Sequence, residues 1–437
     1  MVAVSVDGIV LESDDIDARP LSPIESATAL EPVRQVSAKS HHAGIVTDNS
    51  DLYMYGTGFY GQLGLGDITH AGMPTRVAQG VRMVACGVTH VAAVTNDGRV
   101  FTYGDGWAGK LGHGNEEDES EPKLLSVEAF QPEDKTARNH VERIVMVATG
   151  SFHTVALSEA GRVYTWGYNG SGQLGLGEVE QQLVPRQVES KWLSFFKQGD
   201  PAERVVFVAA GGESTTAVTL SGRLYTWGCG FYGQLGHGDV RNKPLPTLVR
   251  GFGTSSGSGV VMAACSNFHT LVVTRDGDLW ACGKGSEGQL GLNGPDDSLV
   301  FRQVGEGIFR TKVVTAAVGP VSSAAVTEDG ALWAWGALSV NESSDFSAVP
   351  FQVHPRIDGD TRVGRCSHLP HSHALAFAMG THKRIGSSSL VYGLSGEVEL
   401  LRMIVGFCAT WVPGEAGQDE SLVRLIGGVS LENRWHF

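Results

Sequence analysis

The chain has 437 residues, of which 42% are hydrophobic and 18% charged, with 58 glycines and a formal net charge of −14. That acidity argues against gripping nucleic acid or an acidic membrane surface as the main task, and no apolar run reaches the roughly 18–20 residues that span a bilayer. The first residues lack the basic-then-apolar pattern of a secretory signal, and the six cysteines contain no Cys-x-x-Cys pair, so a reducing cytoplasmic or nuclear setting is expected.

Taken in order, Val4–Leu11 alternates around Asp7-Gly8 as a hairpin does and aligns with Val94–Phe101. A fuller unit follows at 81–114. VRMVAC is an apolar strand, Gly87-Val-Thr-His90 a turn, and VAAVT a strand of alternating character. Asn96-Asp97-Gly98 signals a tight hairpin into RVFTY. A glycine-rich word then closes the unit. It reads YGTGFYGQLGLG (55–66), YGDGWAGKLGHG (103–114), WGYNGSGQLGLG (166–177), WGCGFYGQLGHG (227–238) and CGKGSEGQLGLN (282–293). After it comes a proline-led edge strand, as in Pro74–Val77, Pro185–Val188 and Pro246–Val249. The turn recurs at His42, His90, His153, Ser214, His269, Ser322 and His371, in steps of 48, 63, 61, 55, 53 and 49 residues. Repeats of about fifty residues with four strands each predict propeller blades. Seven anchors predict an all-β, seven-bladed propeller over 33–380, with strands from 1–32 closing the last blade. Residues 381–437 form a surplus tail.

The turn, the Asp-Gly hairpin, the Trp-Gly pair and the Gly-Gln-Leu-Gly word together resemble the regulator of chromosome condensation repeat. The resemblance covers about residues 33–380. It weakens after Trp335-Gly336, where ALSVNESSDF replaces the word. It implies a closed ring, and it implies a protein partner, with exchange on a Ran-like small GTPase as one known use. In that use, acidic and histidine side chains of the turns act together with a wedge-like insertion. Glu213 fits one acidic position. Ser151 stands at a second, Val321 at a histidine position, and Gly167 begins an ordinary turn where the wedge is expected. Residues 1–31 hold seven acids and one base, Arg19, so the founding member's basic tail is absent.

Other chemistry reads as structure. The words fit Gly-x-Gly-x-x-Gly four times, yet no helix follows to receive a pyrophosphate. His42, His90, His153, His269 and His371 share one blade position, which argues for a repeated structural hydrogen bond. His368, His371 and His373 lack enough neighbouring ligands for zinc. Cys86 and Cys265 stand four residues before a turn histidine, a small buried position. Asn169-Gly-Ser matches a glycosylation sequon only by chance. No catalytic residue, metal or cofactor is expected.

Strand connectivity puts the turns and the words at one end of the ring. Phe59, Tyr60, Trp107, Phe231 and Tyr232 come from the words, Phe152, Phe268 and Glu213 from the turns. These eight residues form the expected face for a protein partner on a monomeric platform. Two insertions, 126–143 and 189–204, lie at the other end, the second carrying Trp192, Leu193, Phe195 and Phe196. Leu174 is expected to plug a space between blades, and Gly175 and Gly236 to exclude a side chain. The expected function is a non-enzymatic interaction scaffold, the alternative being nucleotide exchange on a Ran-like GTPase.

Overall fold

The computed structural model describes residues 2–4, 10–12, 22–23, 33–131, 142–188, 203–253, 258–337 and 346–353. Val33–Lys39, His42–Thr47, Leu52–Thr57 and His70–Ala78 pair antiparallel in chain order to make the first blade. The same meander recurs at 81–124, 144–187, 205–248, 260–303 and 313–353. In the first five blades the second strand is almost wholly buried, as in His153–Ser158, and the fourth is mostly half-buried or exposed, as in Glu119–Leu124. The apolar core therefore lies in the seams. Val46, Leu52 and Met54 of the first blade pack with Val84, Phe101 and Tyr103 of the second, and each later pair of neighbours repeats this.

The expected seven closed blades are corrected here. The described residues form six blades, and the ring is not closed by hydrogen bonds. The N-terminal strands β1 (Val2–Val4), β2 (Val10–Glu12) and β3 (Ser22–Pro23) make a small sheet of their own. Val4 pairs with Val10 and Leu11 with Pro23, so the hairpin satisfies itself locally. The seventh anchor, His371, lies outside the described residues, as do the cluster at His368 and His373 and the tail 381–437. The sixth blade also lacks the glycine word, and the word is what grips a following blade.

That grip has three parts. First, the end of each word donates a backbone N–H to the outermost strand of the next blade. The bonds run from Gly66 to Ser120, Gly114 to Leu183, Gly177 to Pro244, Gly238 to Leu299 and Asn293 to Ala348, at 2.8–3.0 Å. Second, the word's leucine is buried in the seam, as Leu63, Leu111, Leu174, Leu235 and Leu290 all are. Third, the turn histidine reaches across the seam. His153 Nε2 lies 2.9 Å from Thr215 Oγ1, and that hydroxyl donates to the Gln173 carbonyl at 2.8 Å. A hydroxyl has one proton, so His153 must donate its Nε2–H to the free lone pair. His90 to Thr154 to Lys110 and His269 to Ser323 to Gln289 repeat the relay. The repeated histidine bond thus ties two blades together, and His269 also holds its own turn, its Nδ1 lying 2.9 Å from Ser266 Oγ.

His42 breaks the pattern. Its ring is fully buried with neither nitrogen paired. The next blade offers Val91 where the others offer Thr or Ser. Val91→Thr should complete the relay, with Gln62 supplying the carbonyl by register. The new bonds should stabilise by about 1 kcal/mol. Urea unfolding checks this, and the gain should vanish in a His42→Phe background.

Inter-blade loops at the hairpin end also fill seams. Phe130, at the start of the first insertion, is buried edge-on against Tyr164 at 5.4 Å and Trp166 at 6.1 Å. Phe252 meets Trp280 and Phe301 in the same way. The Trp192–Phe196 cluster lies outside the described residues.

Candidate partner-binding face

The glycine word of one blade meets the turn of the next at a single end of the ring. At the seam of the second and third blades, Trp107 lies 5.3 Å from Phe152 edge-on and 5.6 Å from Tyr168, with Phe152 and Tyr168 6.3 Å apart. Tyr232 and Phe268 meet at 5.2 Å between the fourth and fifth. Between these two aromatic groups the turn position carries Glu213, whose carboxylate accepts from Ser171 Oγ at 2.6 Å. The structure therefore brings Trp107, Phe152, Glu213, Tyr232 and Phe268 into neighbouring seams of one end. Phe59 and Tyr60 sit on the first blade's word, and Phe231 precedes Tyr232 on the fourth's.

The exposures separate anchors from props. Phe59 is 77% exposed, Phe231 65%, Trp107 48% and Tyr232 37%. Tyr60, Phe152, Phe268 and Glu213 are intermediate. Bulky rings left in water at this level are candidates for interface anchors.

Trp107 is held from below. Lys110 replaces the glutamine found in the other four words and is fully buried. Its ammonium bonds Asp105 at 2.9 Å and the Trp107 carbonyl at 3.2 Å, and lies 5.7 Å from the indole centroid. Burial alone would raise the Asp105 carboxyl, but the adjacent Lys110, the Trp107 N–H and the Thr89 hydroxyl outweigh it and hold it below the usual carboxylate range. In the other words the glutamine carbonyl oxygen does the analogous local work, accepting from the N–H two residues earlier, as Gln234 does from Tyr232 at 2.9 Å.

Tyr168 and Lys284 escaped the sequence reading. Both stand one residue after the Gly that opens their word, a register shared with Asp105 and Cys229. Counting from that glycine would have found them. Burial first, and Glu213 second, raise the Tyr168 hydroxyl's pKa. Lys284 sits 5.9 Å from the Tyr232 centroid and 5.5 Å from that of Phe268.

Among the described residues no three His, Cys, Asp or Glu side chains gather as metal ligands. Cys86 is buried, donates its S–H to the Ser37 carbonyl and has its pKa pushed up to about 12 by that burial. Asn169 is fully buried, with its amide bonded to the carbonyls of Glu178 and Glu180, so its sequon is closed to modification.

The repeat pattern described as the regulator of chromosome condensation (RCC1) repeat matches residues 49–94, 97–157, 160–218, 221–273 and 276–326, which together span more than half of the chain. The chain belongs to the RCC1 repeat family. A second form of the RCC1 repeat matches at 144–173, 205–234 and 262–289. Among curated relatives, the ultraviolet-B receptor UVR8 of Arabidopsis thaliana is 37% identical over 197 residues, 45% of this chain and 42% of that protein. The human E3 ubiquitin-protein ligase HERC2 is 37% identical over 197 residues, 44% of this chain but 4% of that protein. The chain thus matches less than half of the length of either relative. Two solved structures share the fold. Human WBSCR16 superposes with a TM-score of 0.63 at 21% identity, covering 81% of this chain and 92% of that one. Prp20p of Saccharomyces cerevisiae, described with its binding properties to Gsp1p and histones, gives 0.63 at 18% identity, covering 81% and 85%.

Proposed function

We propose that this RCC1-repeat propeller is a non-enzymatic platform for a protein partner, and that the partner docks on the glycine-word end. The observation that carries this reading is the row of exposed rings there, Phe59, Trp107, Phe231 and Tyr232, held on rigid turns. Rigid aromatic anchors lose little conformational freedom on binding, and one or two of them dominate a typical interface. Trp107→Ala with Tyr232→Ala is expected to weaken binding of a captured partner by at least about tenfold per hot-spot residue. The melting temperature should stay near the wild-type value, since neither ring fills a seam core. Affinity measured by surface plasmon resonance checks this. Unchanged affinity for every partner would move attention to the hairpin end.

A second reading, nucleotide exchange on a Ran-like GTPase, is favoured by Glu213, which occupies an acidic turn position and is only partly buried. The Gsp1p binding described for Prp20p adds to it. Ser151 and Val321 stand where that use wants an acid and a histidine. Release of labelled GDP from a purified Ran-type GTPase decides between the two. Acceleration that Glu213→Ala abolishes would support exchange, and no acceleration would leave the platform reading alone.

A further inference from the structure

The two aromatic seams differ in the side chain that stands behind the turn phenylalanine. Phe152 and Phe268 occupy the same turn position, and Tyr168 and Lys284 the same word position. Between the fourth and fifth blades the chain supplies its own cation, with the Lys284 ammonium 5.5 Å from the Phe268 centroid and 5.9 Å from that of Tyr232. Between the second and third blades Tyr168 replaces that lysine, and Trp107, Phe152 and Tyr168 form a three-ring group with no cation on its outer side among the described residues. The nearest ammonium, Lys110, is buried and already bonded to Asp105.

The charge around this second group is one-sided. Residues 105–121 and 168–182, the two words with their following loops, hold eight acids, one lysine and no arginine. The lysine is the buried Lys110. Glu116, Glu117 and Asp118 follow the first word and Glu178 and Glu180 the second, and the two loops meet where Gln181 donates to Glu116 at 2.6 Å. Glu213 reaches the Ser171 hydroxyl on the adjoining word. Aromatic faces attract cations through the ring quadrupole, and nearby carboxylates add to the pull. The same field repels a nucleic acid, and at a net charge of −14 it also disfavours a second copy of the chain.

We infer that the Trp107–Phe152–Tyr168 group, with Glu213 beside it, receives a lysine or arginine side chain from a basic segment of a partner protein. This rests on the proposed docking end and names the chemistry of what docks there. Lys284 shows the pose in miniature. A partner's cation would lie over the rings as Lys284 lies over its own, while the acidic loops steer the basic segment in and set a salt-dependent on-rate.

The test uses the full chain and a fluorescein-labelled, arginine-bearing Gly/Ser peptide, with a second peptide in which every arginine is citrulline. Anisotropy should show the arginine peptide binding about tenfold or more tightly than its citrulline twin, the ratio a partly desolvated cation–π contact supports. Tyr168→Lys, which copies the fifth blade and so should fold, is expected to weaken the arginine peptide by at least as much, and Tyr168→Phe to leave it nearly unchanged. Equal binding of the two peptides would overturn the inference. So would full affinity in Tyr168→Lys, binding that salt weakens but Trp107→Ala does not, or occupation of the face by a second copy seen in sedimentation. None of these results would touch the platform reading itself, whose docking end is tested separately by the affinity of the Trp107/Tyr232 double variant for its partner.

Discussion

Gly175→Ala is expected to destabilise the propeller by about 3–5 kcal/mol, well beyond the ~1 kcal/mol typical of a point change. Gly175 closes the third blade's word with φ +73°, a region that an L-residue with a side chain enters at a cost of about 1–3 kcal/mol. A Cβ there would also stand 2.7 Å from Trp227 Nε1. That indole is fully buried and donates to the Gln173 carbonyl at 2.9 Å, so it cannot retreat without giving up a hydrogen bond and opening the seam. The two effects can be separated with Gly80→Ala. Gly80 has a similar φ of +69° but nothing within 4 Å of its would-be Cβ. It should show the backbone cost alone, leaving a difference of about 2–3 kcal/mol for the overpacked contact. Urea unfolding of the two variants gives the comparison directly, and equal losses would sink the packing half of the argument. Gly236 obeys the same logic with a different neighbour. Cys282 replaces the tryptophan in the fifth blade, and Phe301 fills the space 2.4 Å from the Gly236 Cβ position.

The blade itself was legible in the sequence because each of its signals is local. The Asp-Gly hairpin, the alternating second strand and the word all lie within about fifty residues, and each has a steric cause. The partners across the seams were not legible, because they depend on how neighbouring blades face one another. Reading His153 as structural is possible from its recurrence alone, but finding Thr215 as its partner requires the ring. Ring closure failed for a related reason. Val4–Leu11 does look like a blade hairpin, yet a hairpin pattern does not say which sheet receives it, and these strands pair with Ser22–Pro23 instead. The eroded word after Trp335 was the better clue, since Gly-Gln-Leu-Gly supplies the backbone bond and the leucine by which each earlier blade grips the next. At the candidate face, exposed rings were readable as a set from strand connectivity. The difference between Tyr168 and Lys284 becomes meaningful only when each is placed beside its neighbour's word.

Mild acid should loosen the propeller through its histidines before its carboxylates protonate. Burial lowers the pKa of His42, His153 and His269 to about 3, with His41 and Lys39 adding to the effect at His42 and Lys39 at His153. Burial also pushes His90 well down, with Lys110 adding to it. In the unfolded chain each would titrate near 6.5. The sign follows from where protons bind. Above pH 6.5 neither state is protonated at these rings, and they contribute no pH dependence. Below it the unfolded chain takes up protons that the folded rings refuse, so stability falls with pH, and it continues to fall until the folded pKa near 3 is reached. At pH 5 the loss is about 2 kcal/mol for each of His42, His153 and His269, or roughly 6 kcal/mol for the three, comparable with the whole stability of many domains, and His90 acts in the same direction. The main cause is burial of the rings, and at His153 the relay adds to it. His153 donates Nε2–H to Thr215, and a second proton would sit on Nδ1, which is buried without an acceptor. Melting temperatures measured between pH 7 and pH 5 should therefore drop steeply. His153→Gln, which keeps a donor but cannot titrate, should reduce that slope by about a quarter whatever its effect at pH 7. If the variant's slope matched that of the native chain, the acid sensitivity would have to come from groups outside the seams.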